Sequence, residues 1–338
     1  MIETIKKYPE MCADAIKLAE KVDIPDYKFD KIVVCGMGGS AVSGDLLKDL
    51  LKNRISIPIA VCRDYHLPAY VDEKTLTFCI SYSGNTEETL SQFVDCIKKK
   101  SKIIGISSGG KLEEWCKRFK LPYVSIPSGY QPRSALPYLL FSMIVCLQKN
   151  GVVNLQKEID ETIELLKRIK TDSIKKLANS MKDSTIIVYS SDEFSGVARR
   201  VKTQINENSK MPAKYDVFPE LDHNEIVGYQ NERLNKNCFV LILRDKDEPE
   251  EIKARIEITK GLIKDKVKGM EEIWAEGKSK LARMMSLIFL GDALSYELAV
   301  LNDVDPVEVE NIGILKKKLT ERLNLVEKLE KDYLNRPL

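Results

Sequence analysis

Two short apolar runs, Ile32-Val33-Val34-Cys35 and Leu76 to Ile80, each end in a turn of small residues and then enter a helical pattern. The first turn is Gly36-Met37-Gly38-Gly39-Ser40-Ala41. The second is Ser81-Tyr82-Ser83-Gly84-Asn85-Thr86-Glu87-Glu88-Thr89, followed by Leu90, Phe93, Val94 and Ile97 at the spacing of one helical face. Runs so short and so continuously apolar suit strands buried on both faces, and such strands belong to parallel sheets covered by helices. This strand–turn–helix unit limits the chain to few architectures.

The unit recurs. Strands are expected over 31–36, 56–63, 76–80, 102–107 and 123–126, with helices from the first turn to Leu51, from the second to Lys99, and over 112–119 and 134–148. The pattern breaks at Lys149-Asn150-Gly151. A charged helix over 155–181 then leads into a second series, with strands over 185–190, 213–218, 237–243 and 271–275 and helices over 195–210, 250–263, 278–301 and 309–319. The alternation predicts an α/β chain of two doubly wound parallel-sheet domains, each an α-β-α sandwich, over residues 1–152 and 153–338. In such sheets a ligand is expected in the crevice at the carboxyl ends of the strands.

Charge and residue usage exclude several classes. Fifty-three basic residues against 51 acidic ones give a net charge of only +2, and no basic stretch interleaves aromatics, so no nucleic-acid partner is expected. No apolar run is expected to span a membrane, and residues 1–7 hold no apolar signal core, which predicts a cytoplasmic location. None of the eight cysteines (12, 35, 62, 79, 96, 116, 146, 238) is in C-x-x-C spacing. They read as reduced, buried small hydrophobes rather than a zinc site. With only His66 and His223 available, no metal and no cofactor is expected.

The turn at Ser81 offers more than a helix cap. Ser81, Ser83 and Thr86 supply three hydroxyls beside the N–H groups and positive dipole end of a helix, a combination that favours a phosphate. An ordinary N-cap needs one hydroxyl. The Gly36 turn lacks G-x-G-x-x-G spacing, so it lets a ligand approach the backbone without marking a dinucleotide site. Glu207, on the helix after the sixth strand, reads first as a surface acid, with a general base as its functional alternative. His223 follows a strand among acids and suits proton transfer near neutral pH, or is simply exposed. Arg133, in a Ser/Gly/Pro loop ahead of a helix, could set a cation over an anionic intermediate, or form a local salt bridge.

Taken together, Gly36-Met37-Gly38-Gly39-Ser40-Ala41, the Ser81 to Thr89 turn, Gln131-Pro132-Arg133-Ser134-Ala135 and Glu220-Leu221-Asp222-His223-Asn224-Glu225 resemble the bifunctional phosphoglucose/phosphomannose isomerase family. That family is built from two sugar-isomerase (SIS) domains, and the resemblance spans about Gly36 to Leu319. It implies interconversion of glucose 6-phosphate, and mannose 6-phosphate, with fructose 6-phosphate through a metal-independent cis-enediol. By position, it implies that Ser81, Ser83 and Thr86 hold the phosphate and that Gly39 and Ser40 line the sugar site. Glu207 would move the proton between C1 and C2, Arg133 would stabilise the enediolate, and His223 would assist ring opening from a neighbouring subunit of a homodimer. A lysine near the C-terminus completes such sites, and Lys316 fits it best, with Lys317 adjoining. Two other readings stay open: an SIS isomerase of another sugar phosphate, and a non-catalytic SIS sensor.

Overall fold

The computed structural model describes residues 1–334. The chain forms two compact units, each with its own parallel sheet. The first sheet has the order β2-β1-β3-β4-β5, from strands β1 (Lys31–Cys35), β2 (Ile59–Cys62), β3 (Thr75–Ile80), β4 (Lys102–Ser107) and β5 (Tyr123–Ser125). Its central strand β3 is buried along its whole length, as a strand covered on both faces must be. On one face Val33, Cys35 and Cys79 pack against Leu90, Phe93 and Val94 of the helix Glu87–Lys98 and against Leu112 and Trp115 of the helix Gly110–Arg118. The helices Gly38–Leu51 and Leu136–Lys149 pair with each other on the opposite side.

The second sheet has the order β7-β6-β8-β9, again all parallel, from β6 (Thr185–Ser191), β7 (Ala213–Phe218), β8 (Cys238–Arg244) and β9 (Gly269–Trp274). Ile187, Tyr189, Val240 and Ile242 bury one face with Ile256 and Ile263 of the helix Glu250–Ile263. The helix Ser195–Ser209 packs on β6 and β7 and on the long helix Lys280–Leu301. The two doubly wound parallel α/β domains expected from the strand pattern are therefore present.

Three features depart from the sequence expectation. The single helix over 155–181 is two, Gln156–Leu166 and Asp172–Met181. Their buried stripes, Ile159, Thr162 and Leu166 in one and Ile174, Ala178 and Met181 in the other, are separated by Lys167-Arg168-Ile169-Lys170-Thr171. Breaking there lets both stripes pack on Lys280–Leu301.

The boundary also differs from a single cut at 152/153. One unit comprises Met1–Pro9 and Gln156–Glu308, and the other Glu10–Leu155 and Val309–Leu338. The N-terminal turn joins the β6–β9 unit because Tyr8 is buried beside Phe289, with ring centroids 6.1 Å apart. After Asp305-Pro306 the chain joins the β1–β5 unit, where Leu329 enters the core under the helix Glu87–Lys98 and Glu330 pairs with Lys111 at 2.9 Å. Finally, the 22-residue helix Lys280–Leu301 is long and apolar enough to cross a bilayer, against the expectation of no such run. Here 78% of its apolar window is buried in protein, and it carries the ion-paired Arg283 and Asp292, the features of a core helix.

Candidate active site

The turn after β3 is a closed hydrogen-bonded structure. The Ser81 and Thr86 hydroxyls lie 2.8 Å apart, and the Thr86 N–H donates to Ser81 Oγ at 3.4 Å. Ser83 is exposed, and its hydroxyl accepts from the Asn85 N–H. Thr86 stands at the N-cap of the helix Glu87–Lys98, yet its side chain caps no backbone N–H there. The Thr86 hydroxyl is therefore not committed to the first turn in the way an ordinary cap is.

Gly84 holds this shape. Its φ is +70°, and a Cβ there would come 1.7 Å from the Gly109 carbonyl oxygen, so no side chain fits and the left-handed backbone favours glycine. The contact locks the turn after β3 to the loop after β4, aided by Leu112 N–H donating to Gly84 O at 3.0 Å.

Gly39, Ser40 and Arg133 come together. A Cβ on Gly39 would lie 3.3 Å from both Arg133 Cα and Pro132 O, so the Gln131–Ala135 loop closes directly on the glycine turn after β1. Ser40 and Arg133 are both buried, Arg133 to 3% exposure. A guanidinium this buried is costly unless partnered, and Arg133 does have partners.

Sequence reasoning missed Tyr82. Its hydroxyl donates to Pro127 O at 3.2 Å and accepts from the Tyr130 N–H at 2.8 Å. It thus ties the turn after β3 to the loop leading to Arg133. The one available signal was a bulky phenol inside a turn otherwise built of small residues. Tyr82→Phe keeps the ring and removes both bonds, and is expected to lower the unfolding free energy by about 1–2 kcal/mol, read as a shift in the urea midpoint.

Glu207 and His223 belong to the other unit. The helix Ser195–Ser209 buries Val197, Arg200, Val201, Gln204, Ile205 and Asn208, which leaves Glu207 on the edge of the buried stripe, half-buried. Three contacts lock this helix to Lys280–Leu301. Arg200 Nε and Nη2 donate to Asp292 at 3.1 and 2.8 Å, Asn208 Nδ2 donates to Ser295 Oγ at 2.8 Å, and Ser209 Oγ donates to Ser295 O at 2.8 Å. Tyr8 OH donates to the same Asp292 carboxylate at 2.5 Å. Burial, then the Asp292 charge, pushes the Tyr8 phenol well above its ordinary value, so it stays a donor. Burial opposes the Arg200 charge, but Asp292, with Tyr8 and Glu207 behind it, outweighs that and holds the guanidinium above its usual value. Lys210, at φ +56°, ends the helix and donates to Glu207 O, Asp305 O and Glu308 O.

His223 is exposed, but its loop is firmly held. Leu221 is buried. Asp222 accepts from Arg255 Nη1 at 3.1 Å and Thr259 Oγ1 at 2.8 Å, and Glu225 accepts from the buried Tyr189 hydroxyl at 2.5 Å. The imidazole is thus presented outward on a fixed support. Lys316 is exposed on the helix Glu310–Leu323, which buries none of its residues and belongs to the β1–β5 unit. His66, exposed beside Asp95 with Nδ1 at 3.1 Å from Oδ2, plays no part in these groupings.

Residues 170–319 match the model of the bacterial phospho-glucose isomerase C-terminal SIS domain. The chain is 40% identical over 336 residues, 95% of its own length and 99% of the relative's, to the bifunctional phosphoglucose/phosphomannose isomerase of Caldicellulosiruptor bescii. It is 31% identical over 94% of its length, and 97% of the relative's, to the D-glucosamine-6-phosphate 4-epimerase of Sulfolobus acidocaldarius. Among solved structures, the C-terminal domain of glucosamine-fructose-6-phosphate aminotransferase from Francisella tularensis shares the fold. The TM-score is 0.72 at 16% identity, with 91% of this chain and 98% of that chain covered.

Proposed function

The chain belongs to the bifunctional phosphoglucose/phosphomannose isomerase family, and on that premise we propose that it interconverts glucose 6-phosphate, and mannose 6-phosphate, with fructose 6-phosphate. The observation that carries this reading is the closure of the Arg133 loop on Gly39 in the same unit as the hydroxyl turn Ser81–Thr86. It offers a phosphate cradle and a buried cation for an oxyanion.

Ser81, Ser83 and Thr86, with the N–H groups of the helix Glu87–Lys98, hold the phosphate, and Gly39 and Ser40 line the sugar. Glu207 takes the proton from the carbon next to the carbonyl and returns it to the adjacent one. The Arg133 guanidinium offsets the charge that builds on the enediolate oxygen between these steps. His223 of the partner subunit in a homodimer assists ring opening, and Lys316 or its neighbour Lys317 completes the site. Glucose and mannose differ only at C2 and share one enediol, so both enter the same pathway once the proton returns to either face. The enzyme works in the cytoplasm and needs no cofactor.

A coupled assay with each aldose phosphate, with and without a chelator, tests the reading. Turnover of both, insensitive to chelation, supports it. Chelator-sensitive turnover would overturn the metal-independent mechanism, binding without turnover would make the chain a sensor, and inversion at C4 of glucosamine 6-phosphate would place it with the second relative. His223→Ala is expected to slow turnover of ring-closed substrate by about 10²-fold, while sparing an analogue that cannot close its ring. Equal loss on both would remove ring opening from the role of His223.

A further inference from the structure

Three cysteines far apart in sequence meet in the core of the β1–β5 unit. Cys35 ends β1 and lies in register with Cys79 of β3 on the neighbouring parallel strand, so both side chains leave the same face. Cys96 reaches them from the helix Glu87–Lys98, which packs on that face. All three are fully buried, and their sulphur atoms lie within 4.8 Å of one another, with Cys79 Sγ and Cys96 Sγ 3.9 Å apart.

We propose that Cys35, Cys79 and Cys96 form a binding site for a single thiophilic cation of the zinc or cadmium class. Zinc–thiolate bonds of about 2.3 Å set the sulphur–sulphur edge of a trigonal or tetrahedral site at about 3.8–4.0 Å. The Cys79–Cys96 separation already has that length, and the third sulphur lies within 4.8 Å of both. Soft thiolate sets select such cations over hard ones.

Neighbouring hydroxyls offer support of the kind that orients metal ligands. Ser101 Oγ donates to the Cys96 carbonyl at 3.5 Å, which fixes the backbone that carries this thiol, and Thr77 Oγ1 donates to Ser101 Oγ at 3.2 Å. Cys62 is the cross-strand partner of Cys35 on the other side, but its sulphur accepts from Gln92 Nε2 and donates to His66 O, both at 3.3 Å, which leaves it outside the set. A bound cation would join β1 and β3 to the helix whose N-terminus is the Ser81–Thr86 turn.

Full-length, reduced protein titrated with Cd(II) should develop thiolate-to-cadmium charge-transfer absorption that saturates at a single equivalent. Cadmium-edge X-ray absorption of that complex should count three sulphur neighbours. Cys79→Ala and Cys96→Ala should each weaken binding by about 100-fold or more, whereas Cys238→Ala, in the other unit, should bind like the parent. The sulphur count on the unaltered chain does not depend on whether the core variants fold. Fewer than three sulphur neighbours, no saturable binding, or unchanged affinity in Cys79→Ala or Cys96→Ala overturns the proposal and leaves the three thiols as packing groups.

Discussion

Glu207→Gln is expected to lower kcat by about 10²–10⁴-fold, the usual contribution of a positioned general base, while leaving sugar-phosphate binding close to that of the parent. The amide keeps the shape of the side chain and removes its charge and its basicity. The helix should not shift, because Arg200, Asn208 and Ser209 hold it to Lys280–Leu301 through contacts that do not involve the Glu207 carboxylate. Single-turnover kinetics, with ligand affinity measured separately, check both halves. A kcat within a few-fold of the parent would take Glu207 out of the proton transfer. Equal loss of binding and turnover would instead indicate a positioning role.

Asp292→Ala should cost about 3–5 kcal/mol of stability, because it removes the carboxylate paired at 2.8 Å with a buried guanidinium. Arg200 and Asp292 are both fully buried, and Tyr8 would lose its acceptor as well. The double change Arg200→Met with Asp292→Leu removes both charges and should recover most of the loss, since a well-packed apolar pair can replace a buried ion pair at little cost. Equilibrium urea denaturation of the single and double variants measures the difference. If the single variant loses under about 1 kcal/mol, the range of exposed ion pairs, the triad is not a desolvated charge cluster. Asp292 packs against the helix carrying Glu207, so this pair also links the stability of the β6–β9 unit to the placement of the candidate base.

The sheets were the most legible part of the chain. Strands buried on both faces leave uninterrupted apolar runs, and β4 and β7 fall on the same residues in sequence and structure. The helix over 155–181 was less legible because its two halves carry similar amphipathic stripes, and only their common packing partner shows why the chain must break at 167–171. Short helices such as Glu225–Gly228 and Glu232–Asn235 were missed because a single turn has no periodicity to detect. In the candidate site, the Ser81–Thr86 turn announced itself through its hydroxyls and glycine. Arg133, Glu207 and His223 were candidates by residue type and place, each beside a plain structural alternative, and only a resemblance gave them specific roles, since one charged residue on a helix or loop looks like any other. Tyr82 carried only the mark of a phenol among small residues, and Asn208 carried none.

The strand–turn–helix alternation, the parallel sheets that follow from it, and the glycine and hydroxyl content of the loops at the strand ends are all written along the chain. These depend on nearest neighbours, on apolar period and on backbone freedom, all of which are local. Tertiary structure alone decided that residues 1–9 and 309–338 each join the unit remote from them in sequence, that Arg133 closes on Gly39, and that Cys35, Cys79 and Cys96 share one point in the core. Those outcomes depend on strand order and on which buried surfaces match in shape and charge. Strand order places β1 beside β3, with β2, the strand between them in sequence, on the far side of β1, and no spacing along the chain records that choice.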